Sequence, residues 1–215
     1  TYSAPAPVVK GTYKRVSTNL ADFSGTYIIV CEESGHEFAL NGSLTTIDAA
    51  NNGTSVTINN GVISVSIENE FTIAKKESGC SIKSASNLYI GQTSDANGLK
   101  TSESDDYDNA VSYNGSSMNI VSGGAYLRYN SASNQERFRY YASGSYTGQK
   151  AVALYQKVDE AEALALDLLN MTYEVCSAGY DNQKDNFTST WSTLIAAYND
   201  LGDEAKEKLN SVEAD

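Results

Sequence analysis

The sequence contains a single histidine, His36, so a general base, a Ser-His-Asp triad or a zinc site would each have to use it. This residue lies in the turn-like segment Gly35-His36-Glu37, and no serine lies in a Gly-x-Ser-x-Gly sequence. The sequence has no Cys-x-x-Cys pair that could form a zinc ribbon or a thioredoxin-like centre. These patterns are typical of an exposed turn histidine, and we predict that the protein is not an enzyme and has no catalytic residue.

The three cysteines, Cys31, Cys80 and Cys176, are an odd number. Cys31 ends an apolar run and Cys80 precedes another apolar segment, so a disulfide between them would require their Cα atoms to lie within about 7 Å of each other. The sequence favours buried free thiols over this bridge.

The densest group of acidic residues lies at 102–108 and includes Asp105, Asp106 and Asp108. Carboxylate oxygens are the hard ligands that Ca²⁺ prefers, so calcium is the one cofactor that the sequence suggests. The EF-hand pattern, with its central glycine and terminal glutamate, is absent. The alternative is a solvated acidic loop that binds no metal.

Tyrosines and arginines alternate in two candidate strands, 126–129 and 137–141. Alternation puts Arg137, Arg139 and Tyr141 on one face of a strand, and Tyr126 and Arg128 share a face of the other. If the two faces align, rings that stack on sugars or bases lie beside guanidinium groups that bind carboxylates, sulfates or phosphates. The alternative is structural, with tyrosines covering the edges of a core and arginines offsetting nearby acids. The candidate ligand-binding residues are Tyr89, Tyr126, Arg128, Arg137, Arg139 and Tyr141, with Tyr89 in the equivalent position of an earlier repeat.

The charge of the chain is acidic and unevenly distributed. The whole sequence has 27 acidic and 15 basic residues, a net charge of −12. The segment 158–215 holds 13 of the acids and 3 of the bases, which leaves 14 acids and 12 bases in residues 1–157. This balance argues against nucleic acid as the main ligand. No apolar run is long enough to span a bilayer, so we expect no membrane insertion.

The elements that would position these candidate residues, all before residue 158, are predicted to be short β-strands. Runs rich in Val, Ile, Thr and Tyr alternate with turn pairs such as Asn60-Gly61 and Gly123-Gly124, which favour tight hairpins. The segments 35–41, 85–91 and 123–129 each place large hydrophobic residues shortly after a turn. Three such repeats of about 40 residues predict a β-trefoil, with a Greek-key β-sandwich as the alternative.

Two further regions flank this predicted all-β domain, which covers residues 12–158. Residues 1–11 contain both prolines and are predicted to form an extended arm, in which Val8 and Val9 could pair as an edge strand. Residues 159–215 have Ala, Leu, Glu and Lys at helical spacing, with acids at the predicted helix starts. They are predicted to form an acidic hairpin of two or three helices, in which Trp191 is buried either within the hairpin or against a neighbour.

Two stretches resemble parts of known proteins. Residues 81–157, in particular SIKSASNLYIGQTSDANGLKTS and GGAYLRYNSASNQERFRYYASGSYTG, resemble a β module of secreted multidomain proteins of Firmicutes and Bacteroidetes, where it often accompanies nuclease or attachment domains. Residues 176–214 (CSAGYDNQKDNFTSTWSTLIAAYNDLGDEAKEKLNSVEA) resemble the helical segment that follows such modules. The resemblance carries no catalytic residue, and it implies an accessory or attachment role outside the cell or at its surface.

The sequence therefore favours a non-catalytic module that binds a ligand, with an extracellular glycan as the first candidate. A second hypothesis is a structural subunit of an extracellular filament or surface layer, in which Val8 and Val9 of one copy add a strand to the sheet of the next copy. A third is an accessory domain of a secreted nuclease.

Overall fold

Fourteen β-strands occur among the residues that the computed structural model describes, and every strand pairing is antiparallel. The structure describes residues 8–159, 161–165, 191–193, 195–196, 198–199, 201, 203 and 206. The chain divides into two compact units, Thr1–Lys157 and Val158–Asp215. The strands are β1 Lys10–Arg15, β2 Gly25–Glu33, β3 His36–Leu40, β4 Gly53–Ser55, β5 Val62–Ser66, β6 Phe71–Lys76, β7 Gly79–Ser84, β8 Tyr89–Gly91, β9 Lys100–Ser102, β10 Ala110–Tyr113, β11 Met118–Ser122, β12 Ala125–Asn130, β13 Arg137–Tyr141 and β14 Ala153–Lys157.

Six of these strands form a closed ring. In the larger sheet β14 pairs with β2, β2 with β6, and β6 with β7, while β10 pairs with β11 in the smaller sheet. Cys80 and Asn109 exchange two backbone hydrogen bonds of 2.8 Å, which join β7 to the start of β10. The Met118 N–H donates to the Val152 carbonyl at 2.8 Å, which joins β11 to the start of β14. The ring therefore runs β2, β6, β7, β10, β11, β14 and back to β2.

Three pairs of strands leave this ring at intervals along the chain: β3–β4, β8–β9 and β12–β13. Backbone bonds join two of these hairpins, because Gly98, just before β9, bonds to Tyr140 of β13 in both directions. The buried side chain of Asn52, just before β4, joins the hairpin β3–β4 to the hairpin β12–β13. Its Nδ2 donates to the carbonyls of Ile47 and Phe138, and its Oδ1 accepts from the Phe138 N–H.

The first unit has two hydrophobic cores, on opposite faces of β2. Tyr27, Ile29 and Cys31 contribute to the larger core, which also receives side chains from the three hairpins. Ile28 and Val30 contribute to a second core that β1 and β5 close on the outside of the ring. Residues 27–31 are therefore all fully buried, as expected for a strand that is covered on both faces.

The N-terminal segment differs from the predicted arm. β1 begins at Lys10, inside the predicted arm 1–11, because it pairs with β14 on one side and β5 on the other. Val8 and Val9 precede this strand and are 64% and 62% exposed. The Val9 carbonyl still accepts a hydrogen bond from the Ile67 N–H at 3.1 Å.

Helical backbone is present in the described residues of the second unit, at 161–165, 191–193, 195–196 and 198–199. Asp159 caps the first of these segments, since its carboxylate accepts from the Glu162 N–H and its carbonyl from the Ala163 N–H, both at 2.9 Å. Trp191, which is predicted to be buried either within the hairpin or against a neighbour, is 44% exposed in this structure. Residues 166–190 of the predicted hairpin lie outside the described residues.

No helix among the residues described for either unit is long and apolar enough to cross a membrane.

Candidate functional site

The predicted tyrosine–arginine face lies on the hairpin β12–β13. The register pairs Tyr126 with Tyr141, Arg128 with Arg139, and Asn130 with Arg137. Residues directly opposite each other in an antiparallel pair share a face, so these side chains lie on the same side of the hairpin. We call this side the tyrosine–arginine face.

The opposite side of the hairpin holds it on the ring. Leu127, Tyr129, Phe138 and Tyr140 alternate with the residues of the tyrosine–arginine face and are buried in the larger core. The Tyr140 hydroxyl donates to Asn109 Oδ1 at 2.6 Å, and burial raises the pKa of this phenol. The core thus fixes the backbone that carries the candidate site.

Tyr126 stacks on a residue that the sequence did not point to. Its ring lies parallel to that of Tyr146, with centroids 3.9 Å apart and an interplanar angle of 10°. Tyr146 begins the short 3₁₀ helix Tyr146–Gly148, which follows β13. We call Tyr126 and Tyr146 the tyrosine pair, and both rings remain partly exposed.

The Arg128 guanidinium lies against this tyrosine pair, 5.5 Å from the Tyr126 centroid and 5.0 Å from the Tyr146 centroid. Its Nη1 donates to the carbonyls of Met118 and Leu127, and its Nη2 donates to Asn119 Oδ1 at 2.7 Å. Arg128 is only 5% exposed, and burial lowers its pKa. Arg128 therefore contacts the tyrosine pair from the buried side, whereas the sequence analysis placed it among the candidate ligand-binding residues.

Arg139 and Tyr141 are also less available than the sequence predicted. Arg139 forms a two-pronged ion pair with Asp48, with distances of 2.7 Å from Nε to Oδ1 and 2.8 Å from Nη2 to Oδ2. The hydrogen bonds to Asp48 raise the pKa of the arginine. Tyr141 is 5% exposed, and burial raises its pKa.

Arg137 is the most available of the three arginines on the tyrosine–arginine face. Its guanidinium is partly exposed, and Nε makes a 3.3 Å hydrogen bond to the carbonyl of Gln135, two residues away. It lies directly opposite Asn130 and diagonally from Arg128. Diagonal neighbours in a sheet are about 7–8 Å apart, but of these two arginines only Arg137 is partly exposed, since Arg128 is buried.

A polar loop borders the tyrosine pair. The carboxylate of Asp95 accepts from the Ser143 N–H at 2.7 Å and also bonds the Ser143 hydroxyl, and these bonds lower its pKa. Asn97 Oδ1 accepts from the Ala142 N–H at 2.9 Å. The loop between β8 and β9 is thus attached to the chain segment that leads into Tyr146.

The remaining candidate residues lie elsewhere. Tyr89 is on β8, opposite Ser102 and Lys83, and the Lys83 ammonium lies 5.4 Å from its ring centroid. His36 begins β3, with its ring centroid 6.1 Å from that of Tyr129. Neither belongs to the tyrosine–arginine face.

The ammonium group of Lys76, at the end of β6, lies beside the acidic loop at the position where calcium was expected. Lys76 Nζ lies 2.9 Å from Asp105 Oδ1 and 2.8 Å from Asp108 Oδ1, and hydrogen bonds from Lys76 and Ser78 lower the pKa of Asp108. Asp106 bonds the Ser102 hydroxyl instead. Within the described part of the chain, no group of three or more His, Cys, Asp or Glu side chains could hold a metal ion.

The two cysteines of the first unit are free thiols. Cys31 is buried, and its burial raises the pKa of the thiol to about 11, whereas Cys80 is partly exposed. Cys176 lies outside the described residues.

Three residues of the site were missed by sequence reasoning: Tyr146, Asp48 and Asn119. Asn119 lies on β11, opposite Ser112 of β10, and Asp48 is distant along the chain from the arginine that it binds. Nothing in the spacing of these residues indicates their contacts. Tyr146 alone had a signal, as an aromatic residue in a Ser-Gly-rich turn directly after the candidate strand.

Comparison with protein-family models gives no match for this chain, and no curated protein matches it.

Proposed function

We propose that the protein is a non-catalytic module that binds an extracellular glycan on the tyrosine–arginine face. The observation that carries this proposal is the tyrosine pair, which is partly exposed and contacts Arg128, while Arg137 lies on the same face about 13 Å further along the strands. Aromatic rings offer a flat apolar surface to the C–H groups of a sugar, and neighbouring guanidinium and amide groups bond its oxygens.

The rigidity of the face supports this role. Three hydrogen bonds fix Arg128, and two fix Arg139. Side chains that are already ordered lose little conformational entropy when a ligand binds, so a weak, solvated ligand such as a sugar can still be held. A binding surface on packed strands is also more precisely placed than one on loops.

We infer further that the first unit is a β-trefoil. The closed ring of six strands and the three hairpins that leave it at intervals support this architecture, as do the repeated segments at 35–41, 85–91 and 123–129. Strands β1 and β5 would then be additions that cover the outside of the ring. The second unit would serve as an acidic helical spacer in a secreted or cell-surface protein.

The test is a glycan array with the full chain, followed by calorimetry on the glycans that bind. Tyr126→Ala and Tyr146→Ala should each weaken binding at least tenfold, or about 1.4 kcal/mol, because a sugar stacks on the outer face of one ring while the other ring covers its inner face and holds it in place. Tyr198→Ala is the matched control, since Tyr198 also lies near a cation, with Lys206 Nζ 5.7 Å from its ring, but belongs to the second unit. Absence of glycan binding, or equal loss in the control, would refute the proposal.

A second candidate function is self-assembly through the N-terminal segment. Val8 and Val9 are the most exposed large hydrophobic residues in the described part of the chain, and they lead directly into a strand. The double variant Val8→Ser/Val9→Ser keeps the backbone and removes the apolar surface. If native material forms polymers, this variant should remain a folded monomer, and polymers that persist in it would exclude this route of assembly.

A further inference from the structure

The charges on the tyrosine–arginine face are not balanced. Arg139 is neutralised by Asp48. Neither Arg128 nor Arg137 contacts a carboxylate among the described residues, since their hydrogen-bond partners are carbonyl oxygens and the amide of Asn119. The face therefore carries two positive charges without counter-charges, in a unit whose sequence is otherwise slightly acidic.

Arg128 makes this imbalance significant because it is buried. A guanidinium stays protonated in proteins, and a buried charge without an opposite charge is costly. The carbonyl groups and the tyrosine pair compensate part of that cost. A bound anion nearby would compensate more of it, and Arg137 is the partly exposed group that such an anion can reach.

We infer that the ligand of this face is an acidic oligosaccharide: one sugar ring stacks on the tyrosine pair, and the carboxylate or sulfate of another sugar unit, about 13 Å further along the face, is bound by Arg137. This inference rests on the proposed glycan-binding function. Arg137 supplies a planar set of donors that can form two parallel hydrogen bonds with a carboxylate or a sulfate. Asn130, directly opposite, already accepts a hydrogen bond from the Ala132 N–H at 2.9 Å and bonds the Tyr141 side chain, so Arg137 is the group left to bind the anion.

The long-range field disfavours an extended polyanion such as single-stranded nucleic acid. The chain has a net charge of −12, and Asp48 and Asp95 lie close to the arginines and to the tyrosine pair. A nucleic acid would place several phosphates along this surface, whereas an acidic oligosaccharide places one anionic group at Arg137 and a sugar ring on the tyrosine pair. The charge pattern is therefore suited to a short ligand with a single anion at the site.

The experiment compares chemically matched ligands. Tetragalacturonate and its methyl ester differ only in charge, and a sulfated and a desulfated heparin tetrasaccharide form a second pair. Together with neutral glycans and the oligonucleotide dT10, they are titrated calorimetrically into the native chain and into Arg137→Gln, Arg137→Lys and Lys10→Gln. The last variant loses the same charge at an exposed site on β1. Circular dichroism confirms that each variant is folded.

We expect at least one acidic member of a pair to bind at least tenfold tighter than its less charged partner. Arg137→Gln should abolish that preference, Arg137→Lys should keep part of it, and Lys10→Gln should keep all of it. Neutral and acidic glycans that bind equally well would overturn the inference and leave the proposed function standing. No binding of any glycan would overturn both, and tighter binding of dT10 that depends on Arg137 would replace the saccharide with nucleic acid.

Discussion

The side chain of Asn52 should contribute more to the stability of the first unit than any exposed asparagine. It is 1% exposed and makes three hydrogen bonds of 2.7–2.8 Å, two of which satisfy both backbone groups of Phe138 on β13. Asn52→Ala leaves those groups and the Ile47 carbonyl buried without this partner. Each orphaned group costs about 1–3 kcal/mol, so we expect a loss of about 3–5 kcal/mol in the free energy of unfolding.

The measurement is urea denaturation followed by the near-ultraviolet circular dichroism of the tyrosines, because the single tryptophan, Trp191, belongs to the second unit. Asn41→Ala is the matched control. Asn41 Oδ1 also accepts two hydrogen bonds, from the Ser43 N–H and hydroxyl, but these bonds are exposed to solvent, so its loss should cost about 1 kcal/mol or less.

An equal loss in both asparagine variants would refute the reasoning, because it would show that burial of the bonded groups does not determine the cost. A loss below about 1 kcal/mol in Asn52→Ala would refute it as well, since the penalty for even one orphaned group is of that size. The slope of the urea transition should stay unchanged, because the variant alters no large surface.

Four further predictions concern single groups. Burial opposes ionisation of Glu32, but hydrogen bonds from Arg15 and Tyr155 outweigh it and lower the pKa, so stability should be lost as the pH falls below about 4.3, and Glu32→Gln should flatten acid denaturation curves. Burial raises the pKa of Tyr140, so its contribution should be lost as the pH rises above about 10, and ultraviolet titration should show phenols that ionise only on unfolding. In a Cys176→Ser background, a thiol reagent should modify Cys80 and spare Cys31 until the protein unfolds. Gly123→Ala should cost about 1–3 kcal/mol in urea, because a Cβ there would lie 2.5 Å from the Ser94 nitrogen.

Local backbone patterns were predictable from the sequence. The candidate strand 137–141 has the bounds of β13, and its alternation is the one that the register requires. Gly123 and Gly124 both have positive φ, 58° and 92°, in the two-residue turn between β11 and β12. These features depend on residues that are close in sequence, so the residue types suffice to indicate them.

Elements that depend on distant partners were not predictable. β9, Lys100–Ser102, has no apolar alternation and exists because it pairs with β8. Val56 and Ile58 alternate as residues of a strand do, but β4 ends at Ser55. Those two residues alternate because they pack on the second core, and packing produces the same pattern as a paired strand.

In the candidate site, too, local patterns were predictable and contacts with distant residues were not. Shared faces on β12 and β13 follow from alternation, but the burial of Arg128 follows from Tyr146 and β11, which the sequence does not place beside it. The exposure of a strand residue depends on the segment that covers it. Arg128 on β12 is covered by Tyr146, which comes only after the next hairpin turn and the whole of β13. The sequence therefore identified the residues of the face without indicating which of them a ligand can reach.

This difference in exposure determines which residues can report on binding alone. Three side chains of the site are partly exposed and make no hydrogen bond that holds β12 or β13 to the ring: those of Tyr126, Tyr146 and Arg137. Replacing them should therefore alter affinity with little change in stability. Arg128 bonds the Met118 carbonyl on β11 and lies beneath the rings. Its removal would disturb the sheet as well as the face, and a loss of binding in such a variant would not distinguish a ligand contact from a structural role.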